Sequence, residues 1–119
     1  MSTPQWYNER VREQLVRRIS RVIAERVRDP RVPSLVTITD IKLAADTRNA
    51  TVFASIYADE SAAREALEAL NHAAPFIQKV VAESLPIRHF PKLYFKLDHS
   101  IEYSDHINTL LDKVKDDLV

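Results

Sequence analysis

The chain contains no glycine in its 119 residues, where ordinary usage near 7% would supply about eight. Glycine takes positive φ without steric cost and lets a backbone approach a ligand closely. Its absence removes the P-loop, the dinucleotide fingerprint and the kinase phosphate loop, all of which cradle phosphate on glycines. The nucleophile elbow goes too, since it flanks its serine with glycines. Turns that need the left-handed region must use another residue. Cysteine is also 0, which excludes a disulfide frame, a zinc finger and thiolate catalysis. Most common routes to an enzyme are therefore closed.

The length suits a single domain over residues 1–119, able to bury about two-thirds of its unfolded surface without a staple. With 45% hydrophobic and 29% charged residues, the composition is that of a soluble globular protein. No stretch approaches the roughly 18 apolar residues of a membrane span. Residues 1–6 lack the basic-then-apolar pattern of a secretory leader. The expectation is a cytoplasmic protein with no membrane partner.

Net charge is +0, yet its distribution is uneven. Residues 1–31 hold eight arginines against four carboxylates, a net +4, and residues 98–119 hold two lysines against six, a net −4. Between residues 6 and 28 the apolar positions Val11, Leu15, Ile19, Val22 and Ile23 fall in one arc, with Val27 at its margin, which predicts a long amphipathic helix. On an ideal wheel Arg10, Arg17, Arg21 and Arg28 lie within about 20° of one line on the opposite side, spanning about 27 Å. Core packing asks for no such row, and Glu–Arg alternation would serve solubility equally. A planar guanidinium fork suits phosphate better than a lysine point charge does. A merely solvated helix face is the competing reading of the same row.

Asp29-Pro30 ends that helix. Residues 35–43 are rich in β-branched residues, and their apolar phase switches near Asp40, so a bulge is expected there. Asp46-Thr47-Arg48-Asn49 carries turn chemistry, with Asn49 the expected positive-φ residue. Residues 50–57 alternate as a second strand, making a hairpin. Asp59 or Ser61 caps the next helix, over residues 60–73. Pro75 follows, and Phe76, Ile77, Val80, Val81 and Leu85 resume helical spacing, so two helices meeting at Ala73-Ala74-Pro75 are expected. Residues 93–97 alternate as a third strand, and a last helix begins near Ser104. The order is α-β-β-α-α-β with a short C-terminal helix: an α+β domain, helices on one face of a three-stranded sheet.

Candidate catalytic groupings are weak. His72, His89, His99 and His106 show no metal-ligand spacing. Ser104-Asp105-His106 has the letters of a triad, but neighbours on a helix diverge by about 100° per residue. The segment Ile87-Arg88-His89-Phe90-Pro91-Lys92 interleaves basic and aromatic residues, a pairing used to hold phosphates and stack bases. Its competing reading sends Phe90 into the core and leaves Arg88 and Lys92 to solvent.

Three stretches together resemble the ribosome-binding factor A family. They are Asp29-Pro30-Arg31 with Val36-Thr37-Ile38-Thr39-Asp40-Ile41; Ala66-Leu67 through Ala73-Ala74-Pro75-Phe76-Ile77 to Leu85-Pro86-Ile87-Arg88-His89-Phe90-Pro91-Lys92; and Asp98-His99-Ser100 with the apolar positions from Ile107 to Leu111. The resemblance implies a type-II KH-like fold that binds the small ribosomal subunit and its 16S rRNA late in assembly. It further implies assistance to rRNA processing, notably in the cold, with no catalytic residues, no cofactor and no metal. Two positions depart from the family pattern: Pro75 and Ser104 stand where glycines are expected. Proline lacks the N–H that could meet a phosphate, which shifts RNA contact toward the arginine row.

The expected RNA-binding residues are Arg10, Arg17, Arg21 and Arg28, with Arg31, Arg88 and Lys92 adjoining and Lys79 one turn past the Pro75 joint. A monomer is expected, and assembly GTPases are partners the resemblance leaves open. The alternative is a protein-interaction module whose arginine face meets an acidic partner. A small enzyme using Asp, His or Lys is a further rival.

Overall fold

The computed structural model describes residues 7–32, 36–85, 87 and 89–98. The sequence-based expectations for Arg88, for His99 and His106, and for the last helix from Ser104 lie outside these residues. The order is α1 (Glu9–Arg26), β1 (Val36–Leu43), β2 (Asn49–Ile56), α2 (Glu60–Ser84) and β3 (Lys92–Leu97).

Helix α1 starts where the Asn8 side chain accepts the Val11 N–H at 3.0 Å, satisfying one orphan donor of the first turn. It ends at Val27, whose backbone is extended. Its apolar arc is buried as Leu15, Ile19, Val22 and Ile23. The helix is shorter than the expected 6–28, so Arg28 lies beyond it.

Strands β1 and β2 pair antiparallel, and the register shifts between Ile38 and Asp40, so the expected bulge is present. Strand β3 joins β2 in parallel, giving the order β1-β2-β3. The hairpin turn differs in one detail: the positive φ falls on Thr47 (60°), not Asn49. Asn49 already belongs to the ladder, its carbonyl accepting the Ala44 N–H at 2.8 Å. The Asp46 carboxylate holds the turn by accepting from the Arg48 N–H and the Asn49 amide. Those bonds hold a threonine in a region that ordinarily favours glycine.

The middle of the chain corrects another expectation. A single helix, α2, runs from Glu60 to Ser84 with Pro75 inside it. Proline removes the hydrogen bond to the Asn71 carbonyl and crowds that carbonyl with its ring, at a cost of about 3 kcal/mol. Beyond it Ile77 and Val81 are fully buried, and burying two such side chains contributes about 3–6 kcal/mol. The stripe Ala63, Ala66, Leu70, Ala74, Ile77 and Val81 continues across the proline without a break in spacing. Packing therefore carries the helix through.

Helix α1 lies over β1, α2 lies over β3, and the helices touch each other. Ala50, Val52, Ala54 and Ile56 of β2 are all buried, as are Leu93 and Phe95 of β3, while alternate strand residues are not. The helices thus cover one sheet face, the arrangement of a KH-like α+β domain.

Both sheet edges are partly closed by side chains. At β1 the Tyr7 hydroxyl donates to the Ile41 carbonyl at 2.6 Å, and Asp40 Oδ1 accepts the Ile41 N–H at 2.8 Å. At β3 Asn71 accepts the Phe95 N–H at 2.8 Å and donates to the Phe95 carbonyl at 3.1 Å. Asn71→Ala leaves two strand-edge groups unpaired and lowers unfolding free energy by about 1–3 kcal/mol. Urea denaturation at unchanged m-value checks this.

Candidate nucleic-acid interface

With the apolar arc of α1 turned to the sheet, its opposite side presents Arg10, Arg17 and Arg21, all exposed. At 1.5 Å per residue these three span about 16 Å. Arg28 is exposed past the helix end, so it extends the row without sharing its helical register. Among the described residues, none of Arg10, Arg17, Arg21 and Arg28 takes part in an ion pair; those found involve Arg12, Arg31 and Arg64. A cleft of about 290 Å³ opens beside the row between α1 and the β1 bulge, lined by Arg12, Glu13, Val16, Arg17 and Thr39.

Arg12 shows what an engaged arginine looks like here. Its guanidinium donates to Asp40 at 2.6 Å and to Glu9 at 2.7 Å, bonds that raise its pKa above the ordinary value. Burial raises the Tyr7 phenol, with the Asp40 charge adding to the effect, so Tyr7 stays a donor to β1. Arg12 and Tyr7 are thus structural, and they fix how α1 sits on the sheet edge.

The other candidates separate. Arg31 is exposed but committed: its Nη2 and Nε donate to Asp29 at 2.9 and 3.2 Å. Lys79 is exposed on α2, one turn beyond Phe76, and the Arg26 guanidinium stacks over the Phe76 ring at 5.3 Å. That stack joins the end of α1 to α2. Phe76, read from sequence with the apolar run, is 41% exposed, and Arg26 was not among the expected residues. The signal for the pair was an arginine in the last turn of one helix and an aromatic just after the proline of the other. Lys92 is exposed on the β3 face opposite Leu93 and Phe95, and at the sheet edge it also lines a groove of about 440 Å³ with Asn71, Ala74, Pro75 and Gln78 of α2. The structure therefore places Arg10, Arg17 and Arg21 together on one side of α1, Lys79 on α2 and Lys92 on β3.

No group of three or more His, Cys, Asp or Glu among the described residues could hold a metal ion, and no described helix is long and apolar enough to cross a membrane.

Residues 7–111 match the sequence profile of ribosome-binding factor A. The chain belongs to the ribosome-binding factor A family. Ribosome-binding factor A of Moorella thermoacetica is 43% identical over 109 residues, 91% of this chain and 89% of that protein. The crystal structure of the family member from Thermus thermophilus superposes with a TM-score of 0.65 at 26% identity, covering 76% of this chain and 97% of that one. A homology model of the Thermus thermophilus protein, fitted into a cryo-EM map of a 30S–RbfA complex, gives 0.58 at 25% identity, covering 74% and 91%.

The Arg31–Asp29 pair yields a pH prediction. Hydrogen bonds from the Arg31 guanidinium, and then from its backbone N–H, pull the Asp29 carboxyl from 3.8 down to about 2. A depressed carboxylate contributes stability above its unfolded pKa, and that contribution is lost as pH falls from about 4 toward 2. Arg31→Gln raises the Asp29 midpoint toward 3.8 in an NMR titration of the carboxyl carbon.

Proposed function

We propose that this chain binds the small ribosomal subunit, docking on the backbone of its 16S rRNA through the exposed arginines of α1. It acts there without catalysis, as a cytoplasmic factor that assists late subunit maturation and rRNA processing. Arg10, Arg17 and Arg21 meet successive phosphates, with Arg28 and Lys79 at one end. Arg88 is a further candidate contact, and Arg31 adds to the interface only when a phosphate displaces Asp29. Lys92, on the opposite side of the sheet, meets a different part of the RNA.

One observation carries this reading: four exposed arginines on or next to a single helix lack carboxylate partners, while Arg12 and Arg31 have theirs. Unpaired guanidinium groups along a rod match the bidentate geometry of phosphate oxygens. Such contacts recognise shape and backbone rather than base sequence. The Thermus thermophilus relative in a 30S–RbfA complex supports the choice of subunit.

Replacing Arg10, Arg17, Arg21 and Arg28 together by glutamine keeps the fold, because surface changes away from pairing features cost within about 0.5 kcal/mol each. The variant melts as the parent does but no longer co-sediments with small subunits. Undiminished co-sedimentation would overturn the assignment. Retention on a partner after nuclease digestion would point instead to an acidic protein.

A further inference from the structure

The sheet face turned away from the helices carries a second, chemically different basic surface. Lys42, Thr51 and Tyr94 lie in register across the three strands. In the next row Phe53 stands beside Lys96, which makes Phe53 and Tyr94 diagonal neighbours on adjacent strands. Lys92 precedes Tyr94 on the same face of β3. Tyr94 is 53% exposed, Phe53 is half-buried, and Lys42, Lys92 and Lys96 are exposed.

The acids on this face are already engaged. Asp40, opposite Phe53, accepts from Arg12 and from the Ile41 N–H, and Asp98 accepts from the Thr39 hydroxyl at 2.6 Å. Among the described residues none of the three lysines takes part in an ion pair. Among the described residues the result is a surface of two aromatic rings framed by three unpaired cations, and at its β3 edge Lys92 and Tyr94 also line a groove of about 440 Å³ beside α2.

We infer that this sheet face binds a single-stranded RNA segment, with bases stacked on Tyr94 and Phe53 and phosphates beside Lys42, Lys92 and Lys96. The chemistry selects that ligand. A duplex keeps its bases stacked on each other and offers no free ring face, whereas unpaired bases stack on exposed aromatics. An apolar partner would leave three ammonium groups desolvated without countercharge. The inference rests on the reading above for the class of polymer and extends it by naming the form of RNA and a second site. Because the platform and the arginine row lie on opposite faces, one molecule can hold a folded element on one side and a loose strand on the other.

The test uses the full chain and two probes, an eight-nucleotide single-stranded RNA and an RNA duplex of twenty base pairs, titrated by fluorescence anisotropy. Tyr94→Ser weakens single-strand binding by about fivefold or more, in keeping with the loss of one stacked base, and moves duplex affinity less than twofold. Tyr94→Phe keeps the ring and the affinity. Lys42→Ser with Lys96→Ser flattens the salt dependence of single-strand binding by about 1.4 in log–log slope. Arg17→Gln with Arg21→Gln shows the reverse selectivity, weakening the duplex and sparing the single strand. Unchanged single-strand affinity in Tyr94→Ser, or an equal loss in Tyr94→Phe, would overturn the inference. Loss in Tyr94→Ser with duplex binding unmoved by the arginine changes would uphold the platform while rejecting the arginine row, so the two readings fail separately.

Discussion

Burial of one aliphatic arc of α1 determines the rest of the molecule. Leu15, Ile19, Val22 and Ile23 must leave water together, and they do so against the inward face of the sheet. Once they are seated there, the helical repeat turns Arg10, Arg17 and Arg21 to the opposite, exposed side of α1, with Arg17 also bordering the cleft at the β1 bulge. The Arg12–Asp40 and Tyr7–Ile41 bonds fix the same orientation at the β1 edge. Fold and candidate interface are thus two sides of one amphipathic pattern.

A sheet of three strands has two edges and, with the described helices on one face only, one surface that no described helix covers. Each edge is a template for unwanted pairing. Here the edges are met by single polar side chains, Tyr7 and Asp40 on β1 and Asn71 on β3. Absence of glycine shows in the same places. Thr47 and His89 take positive φ values, and a proline stands inside α2 without dividing it, because Ile77 and Val81 beyond it are buried.

Periodicity made much of this legible before any coordinates. The apolar arc of α1, the phase switch that became the β1 bulge, the β2 alternation and the Asp59 cap all express local rules. What escaped was set by contacts distant in sequence. Local chemistry at Pro75 argued for a break, and the burial of Ile77 and Val81 overrode it. Asn49 had the right side chain for a left-handed turn, but ladder pairing claimed it first. Arg28 fitted the helical wheel only because the wheel cannot see that Val27 is extended. Lys92 looked like a neighbour of the arginine row until strand parity placed it on the opposite face, and the Arg26–Phe76 stack joins two helices far apart in the chain.

Salt dependence reaches the central claim most directly, since it counts phosphates rather than contacts in general. Affinity for small subunits, measured for the parent chain and for the variant lacking Arg10, Arg17, Arg21 and Arg28, is followed from low to moderate salt. If each guanidinium displaces a counterion, the two log–log slopes differ by about 3, the parent being steeper. Parallel slopes would mean that these side chains touch no phosphate, and the proposed interface would be wrong.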